Sequence, residues 1–335
     1  MKKIAIIASN NGLGHIRRCV ALANNLSNKF NVSIYCSVEK VKIFKVKKKI
    51  KDFNFKINFY KKKISIKKNN IHNYFNFKKK YDLYLSDNYP EVALKNKKSV
   101  ILSNFFWHDI LKVNTDYYKR IEKKISNRPI IPNYLFCSKY IKKKFKIHPV
   151  GFYGKFENQS FDSKKKGILI SFGTAEFKKD KQIKNLKNIL KNRVNRKFPI
   201  YLEPYLYSNS FRHENVFEAK YDKEMYSKIA VAIIKPGLGT ITDCLMRGVT
   251  ILTYTKGQNK EFIENARILE ENNIGINFNY LNSALEFASN ILREKNFLKY
   301  KFDIAKNLKW NGEKEVIKII AKIFKNKLLI TKNSL

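Results

Sequence analysis

The sequence predicts an α/β protein of two doubly wound units, each built on a parallel sheet. Three observations predict it. Short β-branched runs alternate with segments of helical period along the chain, the pattern of strands buried on both faces by helices. Two of those runs, Ile4–Ser9 and Val231–Ile234, end in Gly-containing turns that open directly into helix-period sequence. Finally, 335 residues exceed what one hydrophobic core usually serves.

In the first half, Ile4–Ser9 reads as a buried strand. Ile16, Cys19, Val20 and Ala23 then recur at i, i+3, i+4, i+7 on one helix face. Further strands are predicted at Val32–Ser37, Leu83–Ser86, Val100–Ser103 and Tyr134–Cys137, with helices near 109–126 and 139–144. Pro149 to Lys166, with Gly151 and Gly154, reads as a hinge. The domains are therefore set at 1–150 and 167–335, joined by 151–166. In the second half, strands are predicted at 167–171, 199–202, 231–234 and 250–253. Helices follow near 178–192, 238–247, 259–272, 281–293 and 313–325, the last with Val316, Ile319, Ile320, Ile323 and Phe324 on one side.

The net charge is +42, from 69 basic and 27 acidic residues. Such a field favours anionic partners. Between Lys40 and Lys68 stand 13 lysines and one acid, Asp52, interleaved with Ile, Phe and Val. This reads as structured basic surface, either a solubilising face or one that meets an anionic membrane. No nucleic-acid-binding motif accompanies the charge, so nucleic acid is not the expected partner. The four cysteines (Cys19, Cys36, Cys137, Cys244) show no CxxC spacing and read as reduced thiols of a cytoplasmic protein. No run of about 20 apolar residues is present. With no Asp-x-Asp pair, HExxH or EF-hand spacing, no metal is expected; without a Walker A pattern, nor is NTP hydrolysis.

Three constellations carry chemistry. The loop Asn10-Asn11-Gly12-Leu13-Gly14-His15-Ile16-Arg17 begins like a dinucleotide fingerprint, but Arg17 stands where the third glycine belongs. What remains is a tight turn of Gly12 and Gly14 that sets His15 at a helix start, where the dipole favours a neutral imidazole suited to a general base; a simple capping role is the plainer alternative. Ser86-Asp87-Asn88 and Ser103 to Asp109 close two neighbouring strands. Asp87 and Asp109 are candidates to orient His15 or bind a sugar hydroxyl, and Trp107 to stack on a sugar face, although turn-forming Asp and Asn would occur there anyway. The third is Lys235-Pro236-Gly237-Leu238-Gly239-Thr240. Its helix-start amides suit a diphosphate, with Asp243 a turn on for a ribose. Gln258, Glu261 and Asn265 lie on the next strand-to-helix connection, and Gly173-Thr174 would add a phosphate-side loop.

Taken together, these residues resemble the GT-B glycosyltransferases of the family-28 type, whose best-known member acts on the lipid-linked peptidoglycan precursor. The resemblance rests on residues 4–26, 84–109 and 231–276. It implies two Rossmann-like domains with parallel sheets facing across a cleft that holds a UDP-sugar. Gly12, Gly14 and His15 would lie at the acceptor and reaction centre, and Gly239, Thr240 and Asp243 on the nucleotide. The segment Glu261 to Ala266 matches the family's sugar-binding segment in part, with Glu261 where an amide is usual. Expected accordingly are inverting transfer to a glycan or lipid-linked acceptor, no cofactor beyond the UDP-sugar substrate, and a place at the inner membrane face through Lys40–Lys68. Gly12–Ala23 is also similar to the UDP-sugar hydrolase of pseudaminic acid synthesis, in which water replaces the acceptor, so hydrolysis stands as the alternative.

Overall fold

The computed structural model describes residues 1–9, 13–39, 42, 54–60, 77, 80–110, 115–158, 160–173, 181–192, 196–209 and 213–325. The chain divides into two compact units. One comprises Met1–Gly154 together with the chain from Lys309 onward, and the other Lys155–Leu308.

The first unit is built on strands β1 (Lys3–Ile7), β2 (Asn31–Cys36), β3 (Lys56–Phe59), β4 (Leu83–Asp87) and β5 (Ser99–Leu102). All pair in parallel, in the order β3-β2-β1-β4-β5. Residues 4–8 are wholly buried, as a central parallel strand requires. Ile4, Ile6 and Ala8 face Ile16, Cys19, Val20 and Ala23 of the helix Leu13–Leu26. Ala5 and Ile7 face Tyr84, Tyr89 and Val92 on the other side.

The second unit carries β6 (Gly167–Ser171), β7 (Ile200–Leu202), β8 (Val216–Glu218), β9 (Ile229–Ile234), β10 (Thr250–Tyr254) and β11 (Gly275–Phe278). They form a parallel sheet in the order β11-β10-β9-β6-β7-β8. Within each unit the strand order is that of a doubly wound sheet. Chain direction across the sheet reverses between β1 and β4 in the first unit and between β6 and β9 in the second. Ligands of such folds bind at the carboxyl ends of the strands flanking that reversal.

The structure departs from the sequence reading in three respects. The last helix, Gly312–Phe324, belongs to the first unit rather than to a domain running from 167 to the end. Val316 and Ile320 complete the core under β1, and Phe324 packs on Phe30 with ring centroids 5.4 Å apart. The returning chain is laced to residues 150–154. Phe152 N–H donates to Lys309 O, Gly312 N–H to Phe152 O, Gly151 N–H to Glu315 and Gly154 N–H to Glu313. A Cβ on Gly312 would run into the Gly151 carbonyl, so the two backbones touch where only glycine fits.

Residues 134–137 form no strand. The Asn133 side chain accepts the N–H groups of Leu135 and Phe136, bending the chain into an Asx-type turn. Finally, β3, β8 and β11 and the helix Lys295–Lys306 are additional elements. The basic stretch 40–68 lies largely outside the described residues, apart from Lys42 and residues 54–60.

Candidate active site

At the reversal point of the first sheet, β1 leads into the helix Leu13–Leu26, and β4 ends on Asp87. His15 Nδ1 lies 2.9 Å from Asp87 Oδ2. One turn further along the same helix face, the Arg18 guanidinium pairs with Asp87 Oδ1, and the Cys19 thiol donates to Oδ2 at 3.5 Å. Spacing of i, i+3 and i+4 is what lets three side chains of one helix converge on one carboxylate. Asp87 is fully buried, whereas the His15 and Arg18 side chains each keep 19% exposure.

Burial by itself would push the Asp87 carboxyl up, but Arg18 first and then His15 hold it below the ordinary aspartate range. Burial and Asp87 together push the Cys19 thiol well up, so it stays a donor. An ionised carboxylate only accepts, so Nδ1 donates in the 2.9 Å contact, and in the neutral imidazole Nε2 is then the nitrogen that can accept. Arg18 approaches Nδ1 at 3.5 Å, too long to compete. The chemistry this permits is proton abstraction at Nε2, with the imidazolium steadied by Asp87.

Asn88 follows in the left-handed region, at φ 58°, with its N–H on Leu102 O and its carbonyl receiving Trp107 Nε1 at 2.9 Å. Trp107 is 4% exposed and braces this bend, so it offers no face for a sugar to stack on. Asp109 sits in a different network from the one sequence reasoning offered it. Its carboxylate accepts from Phe106 N–H and, at 3.0 Å, from the Ser138 hydroxyl, tying two helix starts together. Ser86 and Ser103 hydroxyls turn back onto the carbonyls of Tyr89 and Phe105, and Asn104 Oδ1 accepts Asn133 N–H. Gly14 lies in the first helical turn beside His15, while Gly12 is outside the described residues.

In the second unit, β9 ends at Ile234 and the helix Leu238–Leu245 follows after three residues. Gly237 is extended and supplies no side-chain cap, so the helix-start amides around Leu238, Gly239 and Thr240 point into the region beyond the strand end. Two contacts hold this loop in place. Lys235 N–H donates to Ser171 O, and the buried Asn265 Nδ2 donates to Pro236 O at 2.8 Å. Asn265 thus shapes the loop from behind. Asp243 is engaged at 3.4 Å by Arg247, two residues past the end of its helix, and Arg247 also reaches Glu157 at 3.2 Å. Glu261 stands in the first turn of the helix Lys260–Glu271, which Asn259 caps by accepting Phe262 N–H. Just before it, Gln258 has a buried Oε1 with no hydrogen-bond partner among the described residues.

Across the reversal point, Gly173 adopts φ 73° at the end of β6, and Thr174 is outside the described residues. The expected phosphate-side amide of Gly173 is already used. Gly173 and Phe172 N–H groups donate to Glu203 Oε2 at 2.6 and 2.9 Å. Glu203 is a site residue that sequence reasoning passed over, and Arg18 entered only through the similarity of Gly12–Ala23 to the hydrolase. Arg18 lies on the His15 face by its i+3 spacing, and Glu203 follows a strand at its carboxyl end, the one positional signal that it carried. Among the described residues, no group of three or more His, Cys, Asp or Glu side chains could hold a metal ion, and no helix is long and apolar enough to cross a membrane.

No protein-family model matches the sequence, and no curated protein matches it. Solved structures do match. The glycotransferase of kitacinnamycin is 12% identical with a TM-score of 0.63, covering 98% of this chain and 99% of that one. Arabidopsis thaliana UGT89C1, solved with quercetin and in another crystal with UDP, is 12% identical with a TM-score of 0.67 for the quercetin complex, covering 96% and 99%. The Streptomyces sp. SF2575 glycosyltransferase SsfS6, in complex with thymidine diphosphate, is 13% identical with a TM-score of 0.56, covering 96% and 100%. The fold is accordingly α/β with two parallel sheets, matching GT-B glycosyltransferase structures over nearly the whole chain.

Proposed function

We propose that the protein is an inverting glycosyltransferase that moves a sugar from a UDP-sugar to an acceptor hydroxyl on a glycan or lipid-linked saccharide. The observation that carries this reading is His15, its Nδ1 locked on a buried, Arg18-paired Asp87 and its Nε2 left to accept a proton. Nε2 takes the acceptor proton as that oxygen bonds to the anomeric carbon from the face opposite the diphosphate. The carbon–oxygen bond to the diphosphate breaks, and its electron pair leaves with UDP. The helix-start amides at Leu238–Thr240 and the Lys235 ammonium stabilise the departing charge without requiring a metal. The GT-B fold supports the reading, as do the UDP and thymidine diphosphate bound in two of the matched structures.

A second reading, UDP-sugar hydrolysis, is favoured by one specific observation. Arg18 and Cys19, which follow the His in the hydrolase-like motif, are the residues that close on Asp87. With water in the acceptor's place, the same base would serve.

One assay separates the two. The protein is incubated with UDP- and dTDP-sugars, with and without polyprenyl-diphosphate saccharides and soluble glycans, and nucleotide and free sugar are measured. Nucleotide release that depends on an acceptor supports transfer; rapid acceptor-independent release of free sugar supports hydrolysis. Failure to bind any nucleotide sugar would refute both. Association with anionic membranes through Lys40–Lys68 belongs to the same proposal. Co-sedimentation with anionic vesicles that salt abolishes would support it, and equal negligible binding to neutral vesicles and anionic ones would end it.

A further inference from the structure

Four polar side chains meet at the carboxyl ends of β6, β7 and β9. Glu203, the residue after β7, is 6% exposed, and its Oε2 takes the N–H groups of Phe172 and Gly173. The Ser171 hydroxyl lies 3.3 Å from the same oxygen and 2.8 Å from the hydroxyl of Tyr221, itself at φ 55°. Two successive amides turned onto one oxygen make the kind of concave donor pair that elsewhere receives a phosphate. Here a side chain of the protein fills it.

Lys235 is the fourth. Its Nζ lies where a methyl group on Gly173 would meet it at 3.4 Å, and 4.6 Å from the centre of the Phe262 ring. Burial pushes the Glu203 carboxyl above its ordinary value, and the Gly173 and Phe172 amides, the Ser171 hydroxyl and the nearby Lys235 ammonium only partly offset this. The Lys235 side chain is therefore laid across the glycine whose backbone Glu203 holds. Lys235 also precedes the helix-start amides of Leu238–Thr240 by three residues.

We infer that Glu203 is a positioning residue for nucleotide diphosphate: it closes the β6 amide pair to phosphate and fixes the Gly173 bend over which Lys235 reaches the diphosphate held at Leu238–Thr240. This rests on the nucleotide-sugar reading above and adds to it a division of labour. The β9 loop binds the diphosphate, and the Phe172 and Gly173 amides shape Lys235. Gln at 203 keeps an acceptor oxygen for the two amides; Ala does not.

The test compares UDP and dTDP with uridine and thymidine by calorimetry on the full chain, for wild type, Glu203→Gln, Glu203→Ala, Lys235→Ala and the Glu203→Ala/Lys235→Ala pair. Circular dichroism and thermal melts confirm folding. Expected is a roughly tenfold or greater loss of diphosphate affinity in Glu203→Ala, unchanged nucleoside affinity, and affinity near wild type in Glu203→Gln. The double variant should be no weaker than Lys235→Ala alone, because both changes remove one effect. Three results would overturn the inference: unchanged diphosphate affinity in folded Glu203→Ala, equal loss for nucleosides and diphosphates, or additive losses in the double variant. Should Glu203→Ala not fold, Glu203→Gln with a tenfold loss would also overturn it. Wild-type protein that binds neither diphosphate would instead sink the nucleotide reading, and this inference with it.

Discussion

His15 Nδ1 and Asp87 Oδ2 are 2.9 Å apart, although 72 positions separate the two residues along the chain. The contact joins a helix start to the end of a neighbouring strand at the point where the first sheet reverses its winding. Because Asp87 is buried and paired with Arg18, it orients the imidazole without competing for its proton.

Asp87→Asn should preserve the shape of the side chain and lose the charge that selects the Nδ1–H tautomer. Turnover of the nucleotide sugar is expected to fall by roughly 10²–10⁴-fold, with nucleotide affinity unchanged. Steady-state kinetics beside calorimetry would show this; unchanged turnover would mean that Asp87 serves the fold alone.

Arg18→Met leaves the Asp87 carboxylate buried and unpaired, which typically costs about 3–5 kcal/mol. Asp87 is held below its ordinary value in the folded protein. The pair's contribution is therefore full at pH values above the ordinary aspartate range and disappears as pH falls through the depressed value. Urea unfolding at neutral and strongly acidic pH should show the gap between wild type and Arg18→Met closing on acidification.

Glu91 gives the opposite slope. It is fully buried, with the Tyr118 hydroxyl donating at 3.0 Å, and burial outweighs its own amide and Tyr118 to carry the carboxyl up to about 7. A raised folded value means that stability is greatest below the ordinary glutamate range and is lost as pH rises through about 7. Glu91→Gln should remove that loss, a difference of roughly 3 kcal/mol between acidic and alkaline pH. Parallel melts of both proteins across pH 4.5 to 8, values spanning the ordinary and shifted glutamate ranges, would check it.

Gly312→Ala forces a methyl group against the Gly151 carbonyl, where the returning chain is laced to the first unit. A loss of about 1–3 kcal/mol is expected from the overpacking. Thermal unfolding measures it, and a neutral result would mean that the two backbones separate without cost.

The sequence made the centre of each unit legible and its margins obscure. Residues 4–8 and 231–234 are β-branched or small, and buried on both faces, so their runs were unambiguous. The turns after them carried the glycines and His15 that mark strand-to-helix starts. Edge strand β3 reads Lys-Ile-Asn-Phe inside a lysine-rich stretch and is half exposed, and thus lacks a buried pattern. Tyr134–Cys137 had the composition of a strand, but Asn133 diverted its amides into a turn. Asp87 and Asp109 were equal as candidates because each closes a polar strand-end segment; only the folded chain puts Asp87 on His15 and Asp109 on Ser138. The pairing of Arg18 with Asp87, and of Glu203 with the Gly173 amide, links distant segments and leaves no periodic trace.

The central claim is that His15 takes the proton while the second unit holds the nucleotide. Its most direct measurement pairs UDP calorimetry with turnover of the best UDP-sugar for His15→Ala. Expected are UDP affinity within about twofold of wild type and turnover lower by at least about 100-fold. Turnover at the wild-type rate in a folded His15→Ala protein would contradict it.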